Sequence, residues 1–237
     1  MTRLRSLLFV SWFYLISAPL AVAYSVLLIL PRRAMMAGMR FWAMLVLLGL
    51  RWLAGVRVEV RGLEHRPVGA ALIAAKHQGM LDTIAPFVFL PDVCFVLKKE
   101  LLAVPFYGWH ARKARMIPID REAHARALKD LVAAARDRLR ETRQIVIFPE
   151  GTRKVPGETP DYKPGVAGLY RDLGLPCTPL ATNSGVHWPA HGVTRHPGVV
   201  VFEFLPPIPA GLKRADFMRE LQVRIETASQ ALLTEGL

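Results

Sequence analysis

The first 54 residues contain two long apolar blocks. The earlier one, Leu7 to Leu30, is a run of 24 residues without a charged side chain, and Arg3 and Arg5 precede it. A helix that crosses a membrane needs about 20 apolar residues, so this run is long enough. Pro19 lies in its middle and predicts a kink, which would suit a helix that dips into one leaflet instead of crossing.

The second block, 34–54, is interrupted by Arg40 and Arg51. This pattern is typical of a partner helix whose two tryptophans lie near the membrane interface and whose arginines reach lipid phosphates. We therefore interpret residues 1–55 as an N-terminal membrane anchor of two helices.

A secretory signal peptide is the alternative for the same segment. The basic start MTRLR and the small residues AVA at 21–23 fit a leader with a cleavage site, and the mature chain would then begin near Tyr24. The apolar run continues from Tyr24 to Leu30 and a second block follows, so we favour the anchor.

From Val56 onward, short apolar runs rich in β-branched residues alternate with longer amphipathic segments. The predicted strands are 56–60, 70–75, 93–97, 116–120, 144–148, 177–182 and 198–205. The predicted helices are 81–90, 122–140, 166–173 and 213–233. Strands that alternate with helices predict an α/β fold with a largely parallel central sheet flanked by helices, here a domain spanning residues 56–237.

The composition narrows the class of partner. The 237 residues carry 31 Lys and Arg against 19 Asp and Glu, a net charge of +12, together with a positive mean hydropathy. This excess suits nucleic acid, anionic lipid or a phosphorylated substrate, and the chain has no nucleic-acid-binding motif. We read Cys94 and Cys177 as reduced thiols, because two cysteines are too few for a disulfide framework.

The stretch KHQGMLD follows the predicted strand 70–75 and supplies His77 and Asp82. Ligands of parallel sheets gather at the carboxyl ends of strands, which is where His77 is expected. A neutral imidazole can take a proton from a hydroxyl group, and a carboxylate on its other nitrogen fixes its tautomer. A histidine at a strand end and an aspartate near a helix start are equally common in purely structural roles.

Further polar groups follow other predicted strands. FPEGTR (148–153) supplies Glu150, Gly151, Thr152 and Arg153, with Gly151 allowing an unusual backbone turn and Arg153 suited to phosphate. Glu150 is expected to bond backbone amides or hold an arginine. Together with Arg153, three cationic strand-end residues predict an anion site, namely Lys98, Lys99 and Arg121.

The role of one further polar stretch stays open, and the remaining histidines indicate no metal site. The stretch TPLATNSG (178–185) could line an acyl channel or simply complete the sheet. The other six histidines show no metal-ligand spacing with cysteine or carboxylate, so we assign no metal.

KHQGMLD and FPEGTR together resemble two motifs of the glycerolipid acyltransferases with an HX4D motif, in particular the 1-acyl-sn-glycerol-3-phosphate (lysophosphatidic acid) acyltransferase family. The two motifs stand in the family's order, about 70 residues apart. The likeness extends over about 56–209, and the family's arginine-ending motif falls on Arg121 in MIPIDR. Arg115 departs from the pattern, because the family usually has glycine six positions before that arginine.

The resemblance implies transfer of a fatty acyl group from acyl-CoA or acyl carrier protein to the sn-2 hydroxyl of lysophosphatidic acid, giving phosphatidic acid, with no bound cofactor. His77 would be the general base and Asp82 would orient it. The phosphate site would be formed by Lys98, Lys99, Arg121, Glu150, Gly151, Thr152 and Arg153. The expected location is a bacterial inner membrane, with the catalytic domain on the cytoplasmic side.

Three rival functions remain open. The acceptor could be lyso-ornithine lipid or glycerol 3-phosphate. The chain could instead be a non-catalytic basic protein that binds the membrane surface, in which case replacement of His77 would leave its function intact. It could also be a secreted hydrolase with a cleaved leader.

Overall fold

A computed structural model of the protein describes residues 2–120, 124–158 and 160–235. Both apolar blocks are helical, as predicted. The first forms α1 (Thr2–Ala23) and a 3-10 turn at Tyr24–Leu28, and the second forms α2 (Arg32–Gly49) and a π-helical turn at Leu50–Ala54. Pro19 lies inside α1, and the α-helix continues through it before it tightens at Tyr24.

These two helices are the candidate membrane element. By length and composition the stretches Thr2–Leu28 and Arg32–Ala54 are both apolar enough to cross a membrane, and only 11% and 28% of their most apolar windows are buried against the protein. A core helix of a soluble protein would be mostly covered. The exposed side chains of α1 include Leu7, Leu8 and Leu15.

The described part of the chain contains seven strands, all at the positions predicted from the apolar runs. They are β1 (Val56–Arg61), β2 (Ala71–Ala75), β3 (Val93–Lys98), β4 (Ile117–Ile119), β5 (Gln144–Ile147), β6 (Cys177–Thr182) and β7 (Gly198–Phe204). They form one sheet in the order β1-β7-β6-β2-β5-β3-β4.

Five neighbouring strands, β6, β2, β5, β3 and β4, run parallel, whereas β7 is antiparallel to β6 and parallel to β1. The predicted largely parallel α/β sheet is therefore confirmed. All five parallel strands therefore have their carboxyl ends at the same edge of the sheet. β5 and β6 are buried throughout and β2 nearly so, which explains why their sequences are apolar without alternation.

The helices that surround the sheet follow the strands in the chain. They are α3 (Pro86–Phe89), α4 (Tyr107–Lys113), α5 (His124–Arg140), α6 (Gly165–Leu173), α7 (Ser184–His187) and α8 (Arg214–Glu235). Short 3-10 turns occupy Leu63–His65, Met80–Thr83 and Lys99–Ala103.

The predicted helix 81–90 is the main difference. A 3-10 turn at Met80–Thr83 is followed by the four-residue helix α3, because Pro86 cannot continue a helix in its interior and instead occupies its first position. Helix α4 was not predicted, because its residues YGWHARK mix aromatic, small and basic side chains without a clear apolar period.

Polar contacts join the N-terminal helices to the sheet. Arg32 makes a two-pronged ion pair with Asp92 at 2.8 and 2.7 Å, and Arg40 donates to the carbonyl oxygens of Phe87 and Leu90. One hydrophobic core includes buried side chains of both parts, such as Phe9. The division into residues 1–55 and 56–237 stays a prediction.

Candidate active site

His77 and Asp82 meet directly at the carboxyl end of β2. The distance between His77 Nδ1 and Asp82 Oδ2 is 3.0 Å. Because an ionised carboxylate only accepts hydrogen bonds, the neutral imidazole must carry its hydrogen on Nδ1. Nε2 then keeps the lone pair that a base needs. The side chain of Asp82 is 1% exposed, whereas that of His77 is 14% exposed and borders a cavity.

The turn between these residues is held by the same carboxylate oxygen. Asp82 Oδ2 also accepts the backbone N–H groups of Gln78 at 2.6 Å and Gly79 at 2.8 Å. Gly79 is required because a β-carbon there would lie 2.5 Å from the carbonyl oxygen of Trp188. Asp82 therefore orients the imidazole and the backbone that carries it at once.

The FPEGTR stretch forms the second wall, after β5. The Phe148 ring stacks on the His77 ring with centroids 4.1 Å apart and an interplanar angle of 22°. Gly151 adopts a φ of 69°, and its N–H donates to the carbonyl of Phe148 at 3.0 Å. The left-handed conformation explains the glycine in this turn.

A cavity of about 1400 Å³ extends from this edge of the sheet to the N-terminal helices. Its walls are mostly apolar, and α1 and α2 contribute Phe13, Leu20, Met39 and Trp42. His110 also lines it, and burial lowers the pKa of this histidine. The lining combines His77 and the polar groups of the FPEGTR turn with apolar side chains of the two N-terminal helices, which suits a ligand with a polar end and a long apolar tail.

The described lining contains five Lys and Arg side chains and no Asp or Glu: Lys98, Arg153, Lys163, Arg171 and Arg214. The first two were predicted, whereas the other three were missed because their stretches follow no predicted strand. Gly151 and Thr152 line the cavity as well. Arg171 pairs with Asp172 at 2.6 Å, and the described lining itself contains cations without a carboxylate, which favours an anionic ligand group.

Other predicted phosphate residues lie elsewhere. Lys99 pairs with Asp120 at 3.0 Å, and its side chain is 63% exposed and is not among the described residues that line the cavity. Arg121 lies outside the described residues. Residues 178–185 form β6 and the start of α7 and likewise do not contribute to the described lining, so this stretch completes the sheet.

Glu150 turns away from the cavity into the protein. Its side chain is fully buried, and Oε1 accepts the backbone N–H of His77 at 2.8 Å, which agrees with the expected bond to a backbone amide. Burial raises the pKa of Glu150 to about 7, although Lys76 acts in the opposite direction. Sequence reasoning missed Lys76, the residue next to His77.

Arg115 adopts a left-handed backbone conformation that is typical of glycine. Arg115 has a φ of 55°, which an arginine rarely adopts. Its carbonyl oxygen accepts from Arg138 at 2.7 Å and Arg143 at 3.0 Å, and its side chain pairs with Asp137. The surrounding contacts thus hold the left-handed turn despite the substitution. Cys94 and Cys177 are free and buried.

A family model described as Acyltransferase matches residues 57–183, which include both motifs. The chain is also 36% identical over 185 residues to the 1-acyl-sn-glycerol-3-phosphate acyltransferase of Pseudomonas aeruginosa, covering 78% of this chain and 72% of that relative. The chain belongs to the acyltransferase family. The predicted resemblance is thereby confirmed, and this protein is an acyltransferase.

Two further comparisons extend the result. This acyltransferase is 31% identical over 199 residues to the 1-acyl-sn-glycerol-3-phosphate acyltransferase alpha of Homo sapiens, covering 81% of this chain and 70% of the human protein. Its fold matches the crystal structure of the 1-acyl-sn-glycerophosphate acyltransferase PlsC from Thermotoga maritima, with a TM-score of 0.81, 21% identity and 98% of both chains covered. The likeness to PlsC supports the fold.

Proposed function

We propose that this acyltransferase moves a fatty acyl group from a thioester donor to the sn-2 hydroxyl of lysophosphatidic acid, giving phosphatidic acid. The observation that carries the proposal is the His77–Asp82 pair, whose histidine lines a large apolar cavity with cationic charged residues in its described lining. The names of the relatives support the same acceptor.

The chemistry needs one base and no covalent acyl-enzyme. His77 Nε2 takes the proton of the acceptor hydroxyl as its oxygen attacks the thioester carbonyl carbon. The tetrahedral intermediate then collapses, the C–S bond breaks, and the imidazolium returns the proton to the departing thiolate. Asp82 keeps the proton on Nδ1 and stabilises the imidazolium. Both cysteines are buried, and burial raises the pKa of Cys177 to about 12, which argues against a thiolate nucleophile.

Lysophosphatidic acid matches both the cationic residues and the apolar walls of the cavity. Its phosphate suits the cationic residues, of which Lys98 ends β3 and Arg153 follows β5, and its acyl tail suits the apolar walls. A glycerol 3-phosphate acceptor would bring no tail, and lyso-ornithine lipid would bring no phosphate. The donor is acyl-CoA or acyl carrier protein.

The site would work at a membrane surface. α1 and α2 expose apolar side chains and also line the cavity, so a lipid acceptor could pass from the bilayer to His77 without leaving an apolar environment. We place the enzyme at a bacterial inner membrane with the catalytic domain on the cytoplasmic side, where a water-soluble donor arrives.

The test incubates purified protein with lysophosphatidic acid and a labelled acyl thioester, offered on CoA or on carrier protein, and measures phosphatidic acid. We expect product with one donor at least, and a loss of roughly 10²- to 10⁴-fold in kcat for His77→Ala. His65→Ala, which alters a histidine remote from the cavity lining, is the matched control and should keep full activity.

The outcomes separate the rivals. Product from lyso-ornithine lipid or glycerol 3-phosphate, but not from lysophosphatidic acid, would move the proposal to another acceptor. No product from any of these acceptors would refute the proposed substrate class and leave the acceptor of this acyltransferase to be sought elsewhere. Full activity of His77→Ala would remove the assigned base while leaving the enzyme class in place.

A further inference from the structure

Lys76 is a buried lysine directly before the proposed base. Its side chain is 1% exposed, and Nζ donates to both carboxylate oxygens of Glu226 at 2.9 and 2.8 Å. The Lys76 N–H donates to the carbonyl of Leu180 at 2.9 Å, so sheet pairing continues to this residue. Successive side chains of a strand point to opposite faces, which explains why Lys76 reaches α8 while His77 borders the cavity.

Glu226 lies on α8 and is itself held. Tyr162 donates its hydroxyl to Glu226 Oε1 at 2.7 Å, and burial raises the pKa of this tyrosine, so the phenol stays protonated. Glu226 is therefore the acceptor of three short bonds from two side chains. These bonds fix the position of the Lys76 amino group against Glu226.

Glu150 lies on the other side of Lys76. Its Oε2 is 3.6 Å from Lys76 Nζ, while Oε1 accepts the His77 amide. Burial is the largest influence on the pKa of Glu150 and raises it, Lys76 lowers it, and Glu226 and Asp82 raise it. The charge of Glu150 near neutral pH thus depends on the balance between one cation and its anionic neighbours.

We propose that Lys76, held by Glu226, is a positioning residue that keeps Glu150 charged, so that Glu150 grips the backbone amide of His77. The inference rests on the proposed function, in which His77 is the base. A bond to an ionised acceptor is roughly twice as strong as one to a neutral acceptor. Loss of the charge on Glu150 therefore loosens the peptide that carries the imidazole.

The peptide of His77 has few other anchors. Its carbonyl oxygen accepts from the N–H of Lys154 at 2.9 Å, and its ring meets Asp82 and Phe148. The described lining of the cavity contains neither Lys76 nor Glu226, so replacing either leaves the surface that substrates touch unchanged. We expect effects on kcat and on its pH dependence, with KM unchanged within about twofold.

The test compares two single variants that act on Glu150 in opposite directions. In the wild type, kcat should rise with pH as Glu150 loses its proton. Lys76→Met removes the cation, so this rise should occur at higher pH and kcat at pH 7 should fall about tenfold. Glu226→Gln keeps an acceptor for Tyr162 but removes an anion, so Glu150 is the remaining carboxylate partner of Lys76. The rise of kcat with pH should then occur at lower pH. The charged and titratable groups that face Glu150 in this experiment are Lys76, Glu226, Asp82 and Tyr162.

Glu220→Gln is the matched control, because it makes the same change on α8 at an exposed pair with Arg224. Its kcat and pH profile should equal those of the wild type. If Lys76→Met does not fold, the variant Lys76→Met/Glu226→Leu removes the buried ion pair as a whole, which proteins often tolerate. This double variant should still show the shift to higher pH, since the cation is the larger of the two influences.

The proposal is overturned if Lys76→Met, or the double variant in its place, keeps the wild-type kcat and profile. It is equally overturned if Lys76→Met and Glu226→Gln shift the profile in the same direction, because that result would indicate general loosening. A wild-type protein that forms no phosphatidic acid would instead contradict the proposed function.

Discussion

At the scale of single residues, Gly79 carries a steric requirement. A β-carbon at this position would meet the Trp188 carbonyl oxygen at 2.5 Å, and a backbone atom cannot move aside as the end of a flexible side chain can. We predict that Gly79→Ala lowers the free energy of unfolding by about 1–3 kcal/mol and reduces kcat, because the turn also donates to Asp82. Thermal unfolding in detergent and the acyl-transfer rate measure the two effects.

Gly69→Ala is the control for this change. A β-carbon at Gly69 would meet no atom within 4 Å, so the same substitution should leave both quantities near their wild-type values. Equal behaviour of the two variants would show that the Trp188 loop yields to the added methyl group.

Glu150 predicts a pH dependence of stability. Its pKa rises from the ordinary value of 4.5 to about 7 on burial, so the folded protein holds a proton that the unfolded chain releases. Its contribution to stability is full below about pH 4.5 and is lost as pH rises to about 7. We predict that Glu150→Gln, which cannot ionise, gains on the order of 3 kcal/mol relative to the wild type across this window.

Denaturant unfolding of both proteins at pH 5 and pH 8 measures that difference. A constant gap between wild type and variant at the two pH values would mean that Glu150 keeps an ordinary pKa. The direction of the change matters as well. If the variant instead loses stability relative to the wild type as pH rises, Lys76 stabilises the Glu150 carboxylate by more than burial destabilises it.

Residues of the site differ in how far sequence alone could place them. His77 and Asp82 are five positions apart, so one turn brings them together and their spacing is readable. Lys76 and Glu226 are 150 positions apart, and no local pattern says which carboxylate a buried lysine will meet. The positive φ of Arg115 could be anticipated only from the glycine that the family usually has at this position. Arginine itself does not favour this conformation, and neighbouring hydrogen-bond donors hold it.

At the scale of elements, Asp92 joins α2 to the sheet. It pairs with Arg32 and, through Oδ1 at 3.1 Å, with the fully buried Arg143. Burial opposes its ionisation, yet the two arginines hold the pKa of Asp92 below its ordinary value. We predict that Asp92→Asn lowers the free energy of unfolding by about 3 kcal/mol, because Arg143 keeps its charge without a carboxylate.

The melting temperature in detergent measures this loss. Asp216→Asn provides the control, since Asp216 pairs with Arg219 at the exposed surface, where such pairs contribute about 0–1 kcal/mol. Similar melting temperatures for Asp92→Asn and Asp216→Asn would refute a structural role for the Asp92 junction.

The seven strands were predictable because each is a short apolar run bounded by polar or turn residues, and burial in the sheet preserves that contrast. Their order was not predictable, because pairing partners such as β2 and β5 are separated by two other strands in the chain. The predicted helix 81–90 is longer than the helix in the structure. Its residues are apolar because they are buried, whereas Pro86 determines where the α-helix begins.

At the scale of the whole molecule, the exposed face of α1 predicts membrane binding. Leu15 is 70% exposed in the middle of that helix. We predict that Leu15→Glu weakens partition into lipid vesicles by roughly 3 kcal/mol, because a charged side chain is costly in the hydrocarbon region. Sedimentation with vesicles measures the bound fraction.

Val223→Glu is the corresponding control on α8, where Val223 is 57% exposed. Val223 lies on α8, outside the two candidate membrane helices, so the change should leave vesicle binding intact. Equal partition of Leu15→Glu and wild type would argue that α1 covers another protein surface instead of contacting lipid.

The long separation between Lys76 and Glu226 has a consequence for biosynthesis. Contacts between distant parts of a chain form late, after the local ones, because a large loop must close first. While the polypeptide is still emerging from the ribosome, α1 and α2 can already enter the bilayer, but Lys76 lacks Glu226, the nearer of its two carboxylate partners, until α8 arrives. A half-made molecule would thus be anchored yet chemically silent, and would gain its activity only on completion.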